Sequence, residues 1–188
     1  YSRPEDVIMS NFSCWGPTDD GRIKPDVVAN GVAVLSSTSG SNTSYASLSG
    51  TSMSSPNASG SLLLLQELYA RLKNGEFLRA ATIKGLAIHT ASEAGSAPGP
   101  DYKFGFGLLN VEKAAPVIST AVANNNNASS EHLMFENVLN ATTTSFSTNV
   151  IASGKGQLRA TISWTDPKGN VETVNVLNDP TPKLVNDL

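Results

Sequence analysis

The segment Gly50-Thr51-Ser52-Met53-Ser54-Ser55-Pro56 sits where a polar, small-residue stretch gives way to a run of four leucines, Leu62-Leu63-Leu64-Leu65, and no apolar run in the chain is longer. Pro56 suits a first helical turn, where a missing N–H costs nothing. Behind it come Ala58, Leu62 to Leu65, Leu68, Tyr69 and Leu72, apolar positions that nearly encircle a helix and predict burial on most of its sides. Arg71, Lys73 and the Asn74-Gly75 pair supply the cationic last turn and the stop. A helix of this kind needs other layers packed around it. The 188 residues are enough for one or two domains. The run of four leucines falls far short of the ~18 residues of a membrane span. Only 15% of the residues are charged, against about 25% in ordinary domains, which argues against a disordered tail or a coiled coil. A net charge of −3 with no basic cluster argues against a nucleic-acid partner. The single cysteine, Cys14, excludes an intrachain disulfide.

Before the junction, Val27-Val28-Ala29 and Val32-Ala33-Val34-Leu35 read as short strands broken at the turn-prone Asn30-Gly31. Ser36 to Ser49, polar and small, reads as a long surface loop. After the junction, a second helix is expected from about Glu76 to Thr90, then a loop, then a glycine- and aromatic-rich stretch from Tyr102 to Leu109. A short helix is expected over Val111–Ala115. Beyond the Asn124–Asn127 run the composition shifts. Phe146 to Ile151 and Gln157 to Thr165 read as strands, the latter alternating Leu158, Ala160, Ile162 and Trp164 with polar residues. The fold class is α/β followed by an all-β segment, divided as residues 1–120 and 121–188. The chain opens at Tyr1, without Met, and closes in an apolar stretch at Leu188, so it reads as part of a longer polypeptide.

A serine hydroxyl becomes a nucleophile only when a base takes its proton. A loop-to-helix junction exposes that hydroxyl, and unpaired N–H groups of the first helical turn can face a developing oxyanion. Gly50 leaves room for a substrate carbonyl. Ser or Thr ahead of a Pro-initiated helix is also the common chemistry of a plain N-cap.

The 50–56 segment resembles the nucleophile signature of the subtilisin-like serine proteases. Phe12-Ser13-Cys14-Trp15-Gly16-Pro17 with Ile23-Lys24-Pro25-Asp26-Val27-Val28-Ala29 resembles the family's strand and turn before the nucleophile. Tyr102-Lys103-Phe104-Gly105-Phe106-Gly107-Leu108-Leu109-Asn110 is similar to its closing segment. The resemblance covers roughly residues 7–115 and implies the C-terminal part of a parallel-sheet catalytic domain. Leu158 to Pro167 and Lys183 to Leu188 resemble the start of a jelly-roll-like β-sandwich that follows the protease domain in some members. By this resemblance Ser52 is the nucleophile, Thr51 assists the oxyanion, and Met53 flanks the site. Asn57 and Asn30 stand where many members have His and Pro. The triad Asp and His are expected before the serine, yet residues 1–51 contain no histidine. The implied function is that of a serine endopeptidase working through an acyl-enzyme on Ser52, with Asp and His supplied by upstream sequence and the isolated chain inactive. The implied partner is a polypeptide substrate and the implied location extracellular or the cell envelope.

A non-catalytic subtilase-like scaffold or adhesion module is the competing reading. A Ser–Asp–His order of the α/β-hydrolase kind fails because Ser54 stands where the nucleophile elbow needs its second glycine. His89 reads as a structural helix residue and His132 as exposed. Cys14 reads as a small buried residue, and Tyr102, Phe104 and Phe106 as closing core. Asp19, Asp20 and Asp26 suggest calcium but lack EF-hand spacing, and Asp179, Asn186 and Asp187 give a cation no firm support, so no metal or cofactor is expected of this chain, calcium staying open for a longer parent alone. The Asn-x-Ser/Thr triplets at Asn11, Asn42, Asn57, Asn127 and Asn140 are unremarkable in a chain this rich in Ser and Asn. Unpaired strand edges leave room for self-association.

Overall fold

The structure is a computed structural model that describes residues 2–154, 156–169 and 176–186. The expectations attached to Asp187 and Leu188 fall outside these. Its elements are a short 3-10 turn (Pro4–Asp6), strands β1 (Val34–Ser37) and β2 (Tyr45–Leu48), and helices α1 (Thr51–Leu72), α2 (Ala80–Thr90) and α3 (Val111–Ala123). The chain divides into two compact units. One comprises residues 1–61, 91–109 and 165–188, and the other residues 62–90 and 110–164.

In the first unit the stretch from Ser36 to Ser49 is a loop over residues 38–44, with strand on either side of them. β1 and β2 pair antiparallel, with Val34 opposite Leu48 and Ser37 opposite Tyr45. The strand expected at Val32–Leu35 is thus shifted toward the C-terminus, and Val27–Ala29 contributes only a parallel bridge from Val28 to Leu108. Residues 102–109 are laced to the chain on either side. Val28 N–H donates to Gly107 O and Leu109 N–H to Val28 O, while Leu108 exchanges two bonds of 2.8 Å with Ser92. Glycine is required here. Gly105 has φ +63 and Gly107 φ +114, and a Cβ would lie 2.0 Å from Pro25 O at the first and 2.2 Å from Ser92 O at the second. Phe104 is buried, but Tyr102 and Phe106 are exposed, so only part of the aromatic group forms core.

In the second unit Leu65 and Tyr69 of α1, Leu86 of α2, and Ala114, Val117 and Ile118 of α3 make one apolar core with Leu78. Ile118 is fully buried. α1 ends as its sequence predicts. Gly75 N–H reaches back to Ala70 O at 2.8 Å, with Asn74 and Gly75 at positive φ. Its apolar ring, however, is not buried on most sides. Leu63 is 67% and Leu64 61% exposed, because the core meets the side of α1 that bears Leu65 and Tyr69, with Leu62 and Leu68 half-buried against it. α2 starts at Ala80 rather than Glu76. There the Gln66 side chain holds Leu78, accepting from its N–H and donating to its carbonyl. α3 runs to Ala123, past the expected Ala115. Asn110 caps it by accepting from Lys113 N–H at 3.0 Å, and Pro116 does not break it.

The described residues from 124 onward contain no strand. The alternation from Gln157 to Thr165 is present in the sequence, but Leu158 is 72% and Ile162 70% exposed. A strand is defined by a hydrogen-bonded neighbour, and these residues have none among those described. No helix among the described residues is long and apolar enough to cross a membrane.

Candidate active site

Ser52 is the second residue of α1 and is exposed. The turn that presents it is stitched to residues 29–33 of the same unit. Gly50 N–H donates to Gly31 O at 2.8 Å, Ser54 Oγ donates to Ala29 O at 2.9 Å, and Ala33 N–H donates to Ser49 Oγ at 2.9 Å. Gly31 is buried, and a Cβ there would stand 2.8 Å from Gly50 O and 2.9 Å from Ser54 Cβ. The close approach therefore depends on a bare backbone at residue 31. Gly50 is less constrained, because a Cβ there meets its nearest atom, Met53 Sδ, only at 3.7 Å.

Gly50 O accepts from the N–H groups of Met53, at 3.0 Å, and Ser54, at 3.3 Å. The preceding N–H groups, of Thr51 and Ser52, have no acceptor among the described residues. They are first-turn donors with no intrahelical acceptor, at the positive end of a 22-residue helix. An exposed hydroxyl beside such donors is the geometry that acyl transfer uses, with the N–H groups facing negative charge on a carbonyl oxygen.

The sequence pattern singled out Ser52, Thr51 and Met53, and the structure puts all three in one exposed or half-exposed turn. Ser54, Ser49 and Gly31 were missed as parts of that turn's framework. The Asn30-Gly31 dipeptide was the available signal, but it reads as a strand break rather than a clamp. Asn57 is exposed on α1. Cys14 is exposed, against the expectation of burial, and its neighbour Trp15 carries Lys103 Nζ 5.2 Å from its ring centroid. His132 is half-buried rather than exposed. His89 is held within α2 and its own unit, with Nδ1 2.9 Å from Thr161 Oγ1. No histidine occurs in the unit that contains Ser52. Asp20 accepts from Thr18, Arg22 and the N–H of Lys183, a structural carboxylate whose pKa these hydrogen bonds lower to about 2. No group of three metal-ligating side chains converges among the described residues. A cavity of about 350 Å3 in the same unit is lined by residues from 5 to 9, 95 to 97 and 101 to 104, and Ser52 is not among its walls.

The family model of the Subtilase family (Peptidase S8) matches residues 5–107, more than half of the chain, and spans both the clamp and the Ser52 turn. The chain belongs to the subtilase family. A C5a peptidase from Streptococcus pyogenes is 54% identical over 61 residues, covering 32% of this subtilase chain and 5% of the relative. Subtilisin-like protease SBT3.13 of Arabidopsis thaliana is 33% identical over 125 residues, 60% of this chain and 16% of the relative. Among solved structures, the CspB protease of Clostridium perfringens aligns with TM-score 0.48 at 30% identity, over 53% of this chain and 21% of that one. The chain thus spans a small part of the relatives it matches.

Proposed function

We propose that this chain is the nucleophile-bearing portion of a secreted or cell-envelope serine endopeptidase, with Ser52 attacking the carbonyl carbon of a polypeptide substrate. The observation that carries the reading is the exposed Ser52 hydroxyl beside first-turn N–H groups that have no acceptor among the described residues. In this reading Ser52 Oγ forms an ester with the acyl half of the substrate, and the amine half leaves with the proton taken from the hydroxyl. The N–H of Ser52 and the hydroxyl of Thr51 meet the oxyanion. In this reading the base and its orienting carboxylate come from sequence upstream of these 188 residues, because the family orders its triad Asp, His, Ser and residues 1–51 contain no histidine. The same reading divides the chain at about residue 120 into a parallel-sheet catalytic part and the beginning of a β-sandwich.

The test is a fluorophosphonate probe on the full-length protein. Labelling of the Ser52 peptide, lost in Ser52→Ala, supports the assignment. A parent that carries upstream Asp and His yet labels elsewhere, or not at all, overturns it.

The second reading, a non-catalytic subtilase scaffold, draws on that same absence of histidine. Full-length protein lacking an upstream Asp and His would favour it.

A further inference from the structure

Within the second unit, α2 is gripped at both ends by the stretch that follows α3, and each grip carries the charge the helix dipole favours. At the N-terminal end Glu136 accepts from the backbone N–H of Arg79, at 3.1 Å, and from the Thr82 hydroxyl. At the C-terminal end Arg159 Nη1 donates to the carbonyl of His89 at 3.1 Å. Nearby, Thr161 Oγ1 lies 2.9 Å from His89 Nδ1. One turn back, Ser163 presses on Gly85, where a Cβ would stand 2.9 Å from Ser163 Cβ. Residues 159–163 therefore cross the C-terminal half of α2 as a strap, held by two polar contacts to His89 and one bare-backbone contact.

We propose that this strap is a pH-sensitive device, docked while the His89 ring is neutral and released when the ring takes a proton. The carbonyl end of α2, which ordinarily welcomes a cation, is already occupied by the Arg159 guanidinium. A second positive charge on His89 would meet Arg159 from the strap and His132 from the stretch after α3. Elsewhere on α2 the titratable group is Lys84, also a cation. On α3, which packs against α2, Glu112 and Lys113 lie exposed in the first turn. The polar partner of the ring among the described residues is Thr161, which offers no compensating negative charge. A neutral Nδ1 can accept the Thr161 proton, whereas a protonated one can only donate. Burial first, then Arg159, then His132 hold the His89 pKa below its ordinary value. The undocked ring therefore binds a proton more readily than the docked one. Docking is complete above the ordinary imidazole range and weakens as pH falls from that range through the lowered pKa of the docked ring.

The test uses the 188-residue chain and thermolysin cleavage before Ile162, with the rate divided by that of a free peptide of the same strap sequence. Between about pH 7.5 and about pH 5.5 the relative rate should rise about tenfold, with the helical circular dichroism unchanged. His89→Gln, which can still bond Thr161 but does not titrate, should give the same low rate at both pH values. Arg159→Gln, which keeps an N–H donor but no charge, should at least halve the rise and decides the matter if the histidine variant does not fold. A wild-type rate independent of pH, a His89→Gln chain as acid-sensitive as the wild type, or an undiminished rise in Arg159→Gln would each overturn the proposal. None of these outcomes depends on Ser52 being a nucleophile.

Discussion

The backbone N–H of Gly50 donates to the carbonyl of Gly31 at 2.8 Å, and the space that a side chain on Gly31 would fill is taken by Gly50 O and Ser54 Cβ. The turn that presents Ser52 is thus set by a residue 21 positions upstream of it (52 − 31). Gly31→Ala should force the turn and residues 29–33 apart. The expected cost is about 1–3 kcal/mol, read as a lower midpoint in urea. A midpoint equal to wild type would show that the clamp does not hold the turn.

Two glycines at positive φ should differ sharply on substitution. Gly75, just past α1, has φ +94 and open space around its Cβ direction. Gly75→Ala should cost about 1 kcal/mol from backbone strain alone. Gly107→Ala adds a contact of 2.2 Å with Ser92 O to a φ of +114. It should cost more than about 3 kcal/mol or prevent folding. Equal midpoints for the two variants would refute the assigned backbone path at residues 92 and 107.

Ile118→Ala should remove about 2–5 kcal/mol, because the residue is fully buried in the core of the second unit. Leu63→Ala, on the exposed side of α1, should stay within about 0.5 kcal/mol. Denaturant midpoints of the two variants check both values. Comparable losses would mean that the outer face of α1 is covered in solution.

Asp20 supplies an acid limb to stability. Its folded pKa of about 2 lies below the ordinary 3.8, owing first to the Thr18 hydroxyl and then to Arg22. Its contribution is therefore complete above about pH 4 and is lost as pH falls through that range toward 2. Asp20→Asn should lower stability at neutral pH and flatten the loss between pH 4 and 2 in urea titrations. Parallel pH profiles for variant and wild type would contradict the hydrogen bonds that Thr18, Arg22 and Lys183 donate to this carboxylate.

The parts legible in the sequence were those whose signal is local. α1 announced its end through Arg71, Asn74 and Gly75, but its start lies at Thr51, five residues before Pro56, which stands inside the helix rather than in its first turn. Gly105 and Gly107 marked a close backbone approach. The β1–β2 hairpin was hidden because both of its strands are mostly exposed, so Val34–Ser37 and Tyr45–Leu48 have no inside-outside alternation to read. The reverse holds at Leu158–Trp164, where the alternation exists but no neighbouring strand does among the described residues. α1 looked buried on most sides because the number of leucines fixes how much surface could be buried, not how much is covered. Ser54 and Ser49 act across 25 residues, to Ala29, and 16 residues, to Ala33. Such pairings carry no local pattern.

Leu108 bridges both Val28 and Ser92, and this sets a timetable for synthesis. Val28 leaves the ribosome 80 residues ahead of Leu108 (108 − 28). At about 5–20 residues per second its backbone groups wait roughly 4 to 16 seconds for their partner. Throughout that interval the nascent chain exposes an unsatisfied edge that any neighbouring extended segment can bind. Slow codons between these two positions should therefore favour aggregation, and faster ones should relieve it.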